Sequence, residues 1–268
     1  MRAWRSVGRM YTSRTALLAV PAVLALMAGC GSDSKSDKSA STSTPKPAAQ
    51  GITTRAPASS GAAGATKPAT GLALRALSAR RANALRRPNI AGVADKPLPQ
   101  QVQLLASDVG AFWQEAFNRK QVRFRPLTIA VVEPGGAGPG QCTDVTHPYL
   151  CGDAMVLPTA WFAENAEPIG DFAVAFPIAY LWGQDILRQI GQSGAKPTAA
   201  DTLTASCLAG IWSASVYQRK LLQPGDIAEA AKLVATTAGS PQAAKAMAQA
   251  FDTGFGSGQG GDCTKFRR

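Results

Sequence analysis

Asp171–Ile190 (DFAVAFPIAYLWGQDILRQI) and Ala199–Leu222 (AADTLTASCLAGIWSASVYQRKLL) decide the fold. Both repeat apolar residues at helical spacing, and the stretch GQSGAKPT between them reads as a turn. Trp182 and Trp212, like Phe172 and Phe176, fall in the apolar runs and are expected in the core, unless one of them lines a cleft. Downstream, Asp226–Thr237 and Pro241–Phe251 read as two more helices, the first entered through Pro224-Gly225-Asp226 with Asp226 as its N-cap. Upstream, Pro99–Asn118 carries Val102, Leu105, Val109, Phe112, Trp113, Ala116 and Phe117 at helical spacing. Leu127–Val132 (LTIAVV) and Ala154–Leu157 read as strands, the first followed by the loop EPGGAGPGQ. The predicted class is α+β, mostly helical, with a small sheet in front of a helical C-terminal half.

The N-terminal third differs in composition. Met1–Arg14 is positively charged, and Ala16–Met27 (ALLAVPAVLALM) is an apolar run too short to span a bilayer as a mature helix. It ends in Met27-Ala28-Gly29-Cys30, which resembles a bacterial lipoprotein signal. That resemblance implies cleavage of residues 1–29, lipidation of Cys30 and an extracytoplasmic protein anchored to the cell membrane, since two or three acyl chains hold stably where one does not. Residues 31–70 are Ser, Thr, Ala, Pro, Gly and Lys with few large apolar groups, so residues 30–96 read as a disordered basic linker. Within it, Leu74, Leu77 and Leu85 share a stripe among arginines over 71–87. This fits a short helix on an anionic membrane, although a helix in a solvated linker is the plainer reading. The globular domain is expected over 97–268.

The chain has 268 residues, 46% hydrophobic, and its net charge of +11 invites a nucleic-acid reading. The charge sits in the wrong place for one. Residues 31–97 carry 11 basic and 3 acidic residues, whereas 98–268 carry 13 basic and 14 acidic. A nucleic-acid partner is therefore not expected. Of the five cysteines, Cys142, Cys151, Cys207 and Cys263 remain after Cys30. Four cysteines in an exported chain allow three pairings. Cys142–Cys151 is the natural local pair and Cys207–Cys263 follows, while a four-thiolate zinc site lacks paired CxxC spacing.

Several segments together resemble the bacterial neutral zinc metallopeptidase family, a zincin-like group. Tyr149-Leu150-Cys151-Gly152-Asp153 stands where that family has aromatic–Cys–Pro–x–Asp before a strand. Ile178–Asp185 (IAYLWGQD) stands where it has an apolar–Ala–His–Glu–x–Gly–His–His helix, and Thr202–Gly210 (TLTASCLAG) where it has Glu–Leu–Gln–Ala–Asp–Cys–x–Ala–Gly. Gly239-Ser240-Pro241-Gln242, Gly254-Phe255 and Asp262-Cys263-Thr264 match its C-terminal part. The resemblance implies a zincin-like scaffold.

It does not carry the chemistry with it. Two histidines one helical turn apart would bind zinc, with a glutamate between them polarising water. Those positions hold Tyr180, Gln184 and Leu181. The third ligand position is Thr202, and the aspartate that would steady a ligand is Ser206. Neither a metal nor another cofactor is expected, and the chain has only one histidine. Asp185 and Asp201 flank the altered positions, without a second carboxylate on the face of Asp185. His147 lies in the Cys142–Cys151 loop and reads as structural or solvated, and no GxSxG elbow accompanies it. Pro177 either delays or kinks the first long helix. The sequence thus predicts a membrane-anchored pseudo-metallopeptidase that binds a peptide, cell-wall component or envelope protein. The alternative is an active zinc peptidase with an unrecognised metal site.

Overall fold

A computed structural model describes residues 52–55 (as backbone), 69–79, 88–194 and 196–267. Residues 1–51, where the signal sequence and the lipidated Cys30 are expected, lie outside the described residues, as do 56–68, 80–87, 195 and 268.

The chain is mostly helical. Leu98–Asn118 forms α1, and the sheet strands are β1 (Ile52–Arg55), β2 (Thr128–Val132), β3 (Tyr149–Cys151) and β4 (Ala154–Pro158). Six further helices follow: α2 (Thr159–Asn165), α3 (Asp171–Gln189), α4 (Ala199–Gln218), α5 (Asp226–Thr237), α6 (Pro241–Ser257) and α7 (Gly260–Cys263). The sheet order is β1-β2-β4-β3, with β2 and β4 parallel in the middle and an antiparallel strand at each edge.

The two central strands are buried nearly throughout, as strands covered on both faces must be. Ile129 and Val131 pair with Met155 and Leu157 and join the main core. Val132 and Val156, on the opposite face, pack with Cys142, and Val145 and Tyr149 close over them. The Cys142–Cys151 disulfide therefore holds a loop down as a lid on the outer face of the sheet.

Helix α4 is central. Fourteen of its twenty residues are buried, on every side, which is the pattern of a helix surrounded by others. It can be surrounded closely because it meets its neighbours through glycines. A Cβ on Gly183 of α3 would lie 2.6 Å from the Ala205 carbonyl of α4. One on Gly210 of α4 would overlap the Phe251 carbonyl of α6, and one on Gly254 of α6 would overlap the Cys207 carbonyl. Cys207 is also joined to Cys263 at the C-terminal end, so both expected cysteine pairs form. Helix α1 is tied to the same centre by a buried ion pair. Asp108, fully buried, receives both terminal nitrogens of Arg219 at 2.7 Å and the indole N–H of Trp212 at 2.9 Å. Trp182 donates to the Ala106 carbonyl at 3.0 Å, with its ring over Gly110.

Several expectations change. Leu74 and Leu77, expected on a linker stripe that would face a membrane or solvent, are buried in the core instead. A single 3-10 turn spans Leu74–Ala76. The adjoining backbone docks on the end of α6: Ala79 N–H donates to Gly258 O at 2.7 Å, and Gly260 N–H to Leu77 O at 2.8 Å. β1 likewise pairs with β2 from within the stretch expected to be disordered. Asp226 is not the N-cap of α5. Gly225 takes that position at φ +112°, while Asp226 accepts from the Gln223 N–H at 2.7 Å and closes the preceding turn. Pro177 does not delay α3, which runs from Asp171 to Gln189 with the proline inside it. α4 stops at Gln218 rather than Leu222, with Lys220 in the left-handed region at φ +59°. α6 continues past Phe251 to Ser257, where Gly258 at φ +61° ends it.

The close approach of α4 and α6 predicts a sharp contrast between two glycines of one helix. Gly254→Ala should destabilise the protein by about 2 kcal/mol or more, because backbone cannot retreat from backbone. Gly256 has open space around it. Gly256→Ala should be neutral or stabilising by up to about 1 kcal/mol through helix propensity. Urea unfolding of the two variants measures the difference.

Candidate functional site

The five positions singled out above sit on α3 and on the first two turns of α4, which pack side by side. What places Thr202 opposite α3 is the way α4 begins. Thr198 and Asp201 form a reciprocal cap, with Asp201 N–H donating to Thr198 Oγ1 at 3.2 Å and Thr198 N–H to Asp201 Oδ2 at 2.8 Å. Arg267, from the C-terminal end, donates to Asp201 Oδ1 at 2.6 Å. Burial would raise the Asp201 carboxyl, but the Thr198 and Arg267 hydrogen bonds outweigh it and hold the group below its ordinary value. Asp201 is thus committed to the helix cap.

Tyr180, Gln184 and Thr202 converge. Gln184 Nε2 donates to Tyr180 Oη at 2.8 Å, and Thr202, across on α4, lies near enough to act on the same phenol. Thr202 Oγ1 itself donates to Thr198 O at 3.2 Å. The Tyr180 ring stacks on Phe176, one turn earlier, at 6.2 Å between centroids. Burial pushes the Tyr180 phenol above its ordinary value, more than the Thr202 and Gln184 hydrogen bonds lower it. The phenol is therefore held neutral. Leu181 is buried beside it, and Ser206 is fully buried with its hydroxyl unpaired.

A zinc ion fits this donor set poorly. A phenol and an amide bonded to each other, with a hydroxyl bonded to its own helix, offer no imidazole, thiolate or carboxylate. Asp185 is engaged elsewhere: it accepts from Arg188 at 3.1 Å and from Gln189 at 2.7 Å, and Gln189 binds the Arg125 backbone at both N–H and C=O. Burial raises the Asp185 carboxyl, opposed by Gln189 and by the charges of Arg188 and Arg125. Among the described residues, one group of acids has metal-ligand spacing: Asp171, Asp226 and Glu229. Its members serve the backbone. Glu229 accepts from the Phe172 N–H at 3.0 Å at the start of α3, and Asp226 closes its own turn.

A cleft remains around the Tyr180 cluster. It has two lobes that share His147, Pro148, Tyr180 and Leu181 as a common wall. The larger, about 600 Å³, is lined by Trp161, Phe176, Pro177, Leu233 and Met247 among others. The smaller, about 310 Å³, is lined by Gln184, Arg188 and Ser193. Phe176 is thus the one of the four expected core aromatics that also lines the cleft. His147 is exposed as expected of a loop histidine, its Nδ1 3.0 Å from Thr146 Oγ1 and 3.6 Å from Asp144. Its position is informative all the same, because the disulfide-closed loop brings it to the cleft wall. Sequence reasoning missed Trp161, since a seven-residue helix directly after a strand shows no periodicity.

The raised Tyr180 phenol has a measurable consequence. Stability should fall as pH rises from the ordinary tyrosine value of 10.0 through the higher folded-state value, because the folded state resists ionisation. Tyr180→Phe should flatten that fall. In an absorbance titration it should remove a tyrosine that ionises above the ordinary value.

Comparison with protein families matches residues 67–259 to a family described as "Putative neutral zinc metallopeptidase". Comparison with curated proteins and with solved structures returns no match. The matched region begins beside the segment 69–79 that packs on the core, well before the boundary at 97 expected from composition.

Proposed function

The chain belongs to the neutral zinc metallopeptidase family, and from that premise we propose that it is a non-catalytic member whose cleft binds peptide without cutting it. The observation that carries this reading is the Tyr180–Gln184–Thr202 cluster. In a zinc peptidase the protein supplies an open metal position, a water to activate and a base to take its proton. Here the corresponding side chains are a phenol, an amide, a hydroxyl and the hydrocarbon of Leu181, which has no proton to exchange. Gln184 is bonded to Tyr180 and Thr202 to the backbone of its own helix, so these groups are engaged at the centre of the cleft while its lobes stay open.

Two features support retention of binding. The walls are built from five separate elements plus a disulfide-closed loop, so the cleft is a product of the whole fold and not of the altered residues alone. Its volume lies in the range of ligand sites, and it combines aromatic and aliphatic walls with a few polar groups.

Incubation of the full chain with a mixture of peptides in zinc-containing buffer tests the reading. Mass spectrometry should recover the peptides uncut, with a subset retained by the protein. Zinc-dependent new peptide ends would establish the active peptidase instead. Neither retention nor cutting would leave a structural envelope protein.

The anchoring follows from the signal sequence, and we propose lipidation at Cys30 with the folded unit held outside the cell membrane. Cys30→Ser should release the protein from membranes, and continued attachment would show that another segment holds it.

A further inference from the structure

Resting on the peptide-binding reading above, we propose that the cleft recognises a peptide by its free C-terminal end, with the carboxylate in the smaller lobe and a large apolar last side chain in the larger one. The two lobes differ in kind. The larger presents Trp161, Phe176, Leu233 and Met247, and among the described residues no Lys, Arg, Asp or Glu lines it. The smaller presents Arg188, Gln184 and Ser193, and no acidic one of the described residues lines it. A ligand that fills both must be apolar at one end and an acceptor of hydrogen bonds, best an anion, at the other.

Arg188 is the one Lys, Arg, Asp or Glu among the described residues that line the smaller lobe. It donates through Nη2 to Asp185, which does not line the lobe, and the charge of Arg125 also acts on that carboxylate. Asp185 is further tied down by Gln189 at 2.7 Å, which fixes Arg188 through it. A guanidinium held in place by a buried partner is pre-organised for a second carboxylate, and its planar fork matches one. The Arg188 Nε is buried and makes no hydrogen bond, so the terminal nitrogens carry all of its polar contacts.

The direction of the peptide follows from the shared wall. Tyr180 and Leu181 separate the lobes, and both are on α3 about two turns before Arg188. A side chain and the carboxylate of the same residue are separated by only two or three bonds, which suits lobes that meet at one wall. An internal peptide segment without an acidic side chain would have to place a carbonyl, with no charge, beside Arg188. A C-terminus places a full negative charge there, and that difference makes the end of a chain the preferred ligand.

The test uses the full chain in detergent and fluorescein-labelled hexapeptides ending in Phe, each as the free acid and as the C-terminal amide. The acid should bind about tenfold or more tightly than the amide in fluorescence anisotropy. A peptide ending in Asp should lose a similar factor. Arg188→Gln should bring the acid down to the affinity of the amide, with an unchanged thermal melt showing that the variant folds. Should Arg188→Gln fail to fold, the acid–amide comparison on the unaltered protein decides alone. Equal binding of acid and amide would overturn the proposal while leaving peptide binding intact. Retention of neither peptide, nor of a mixture with internal sequences, would remove the underlying reading itself. Laurate binding that depends on Arg188, with no peptide bound, would overturn the proposal by assigning the cleft to a lipid carboxylate.

Discussion

The backbone of α4 lies in direct contact with the backbones of α3 and α6, and most of the molecule is arranged around that fact. Glycine makes it possible at three crossings: Gly183 against Ala205, Gly210 against Phe251 and Gly254 against Cys207. A methyl group at any of them would meet a carbonyl. Cys207 adds a covalent link to Cys263 at the same place, so close packing and crosslink reinforce one another. The buried Asp108–Arg219 pair then ties α1 to this centre, at a site where removing either partner would strand a charge.

Such a centre constrains the side chains above it more tightly in position than in chemistry. α3 and α4 are held so that residues at 180, 184 and 202 must face one another. What they do when they meet depends on their identity. With acids and imidazoles that geometry converges donors on a metal. With tyrosine, glutamine and threonine it converges neutral groups, of which Gln184 bonds Tyr180 and Thr202 bonds the backbone of α4. The frame does not depend on what stands at these three positions, and the cleft walls are drawn from other elements as well.

Much of this was legible in the residues. The five long helices and both central strands appear as apolar runs, dense where an element is covered on all sides, as in α4 and the strands, and periodic where it is not, as in α1, α5 and α6. The cysteine pairing was legible too, because Cys142 and Cys151 bracket a short loop. The errors have physical causes. Leu74 and Leu77 sit among arginines and small polar residues, so composition hides that two leucines suffice to dock a short turn against α6 and α7. Asp226 has the right residue type for an N-cap, but Gly225 in a left-handed conformation turns the chain first. His147 could not be placed from sequence, because only the disulfide and the β3–β4 hairpin carry its loop over to α3. The convergence of Tyr180, Gln184 and Thr202 needed the family resemblance, as nothing in their spacing signals that two helices present them to one another.

Zinc content of the full chain, purified without chelator and equilibrated with zinc, tests the central claim most directly. The account predicts no stoichiometric metal, and no change when Tyr180→Phe removes the phenol. Binding of about one zinc per chain, weakened by Tyr180→Phe, would place a metal at the cluster and contradict it.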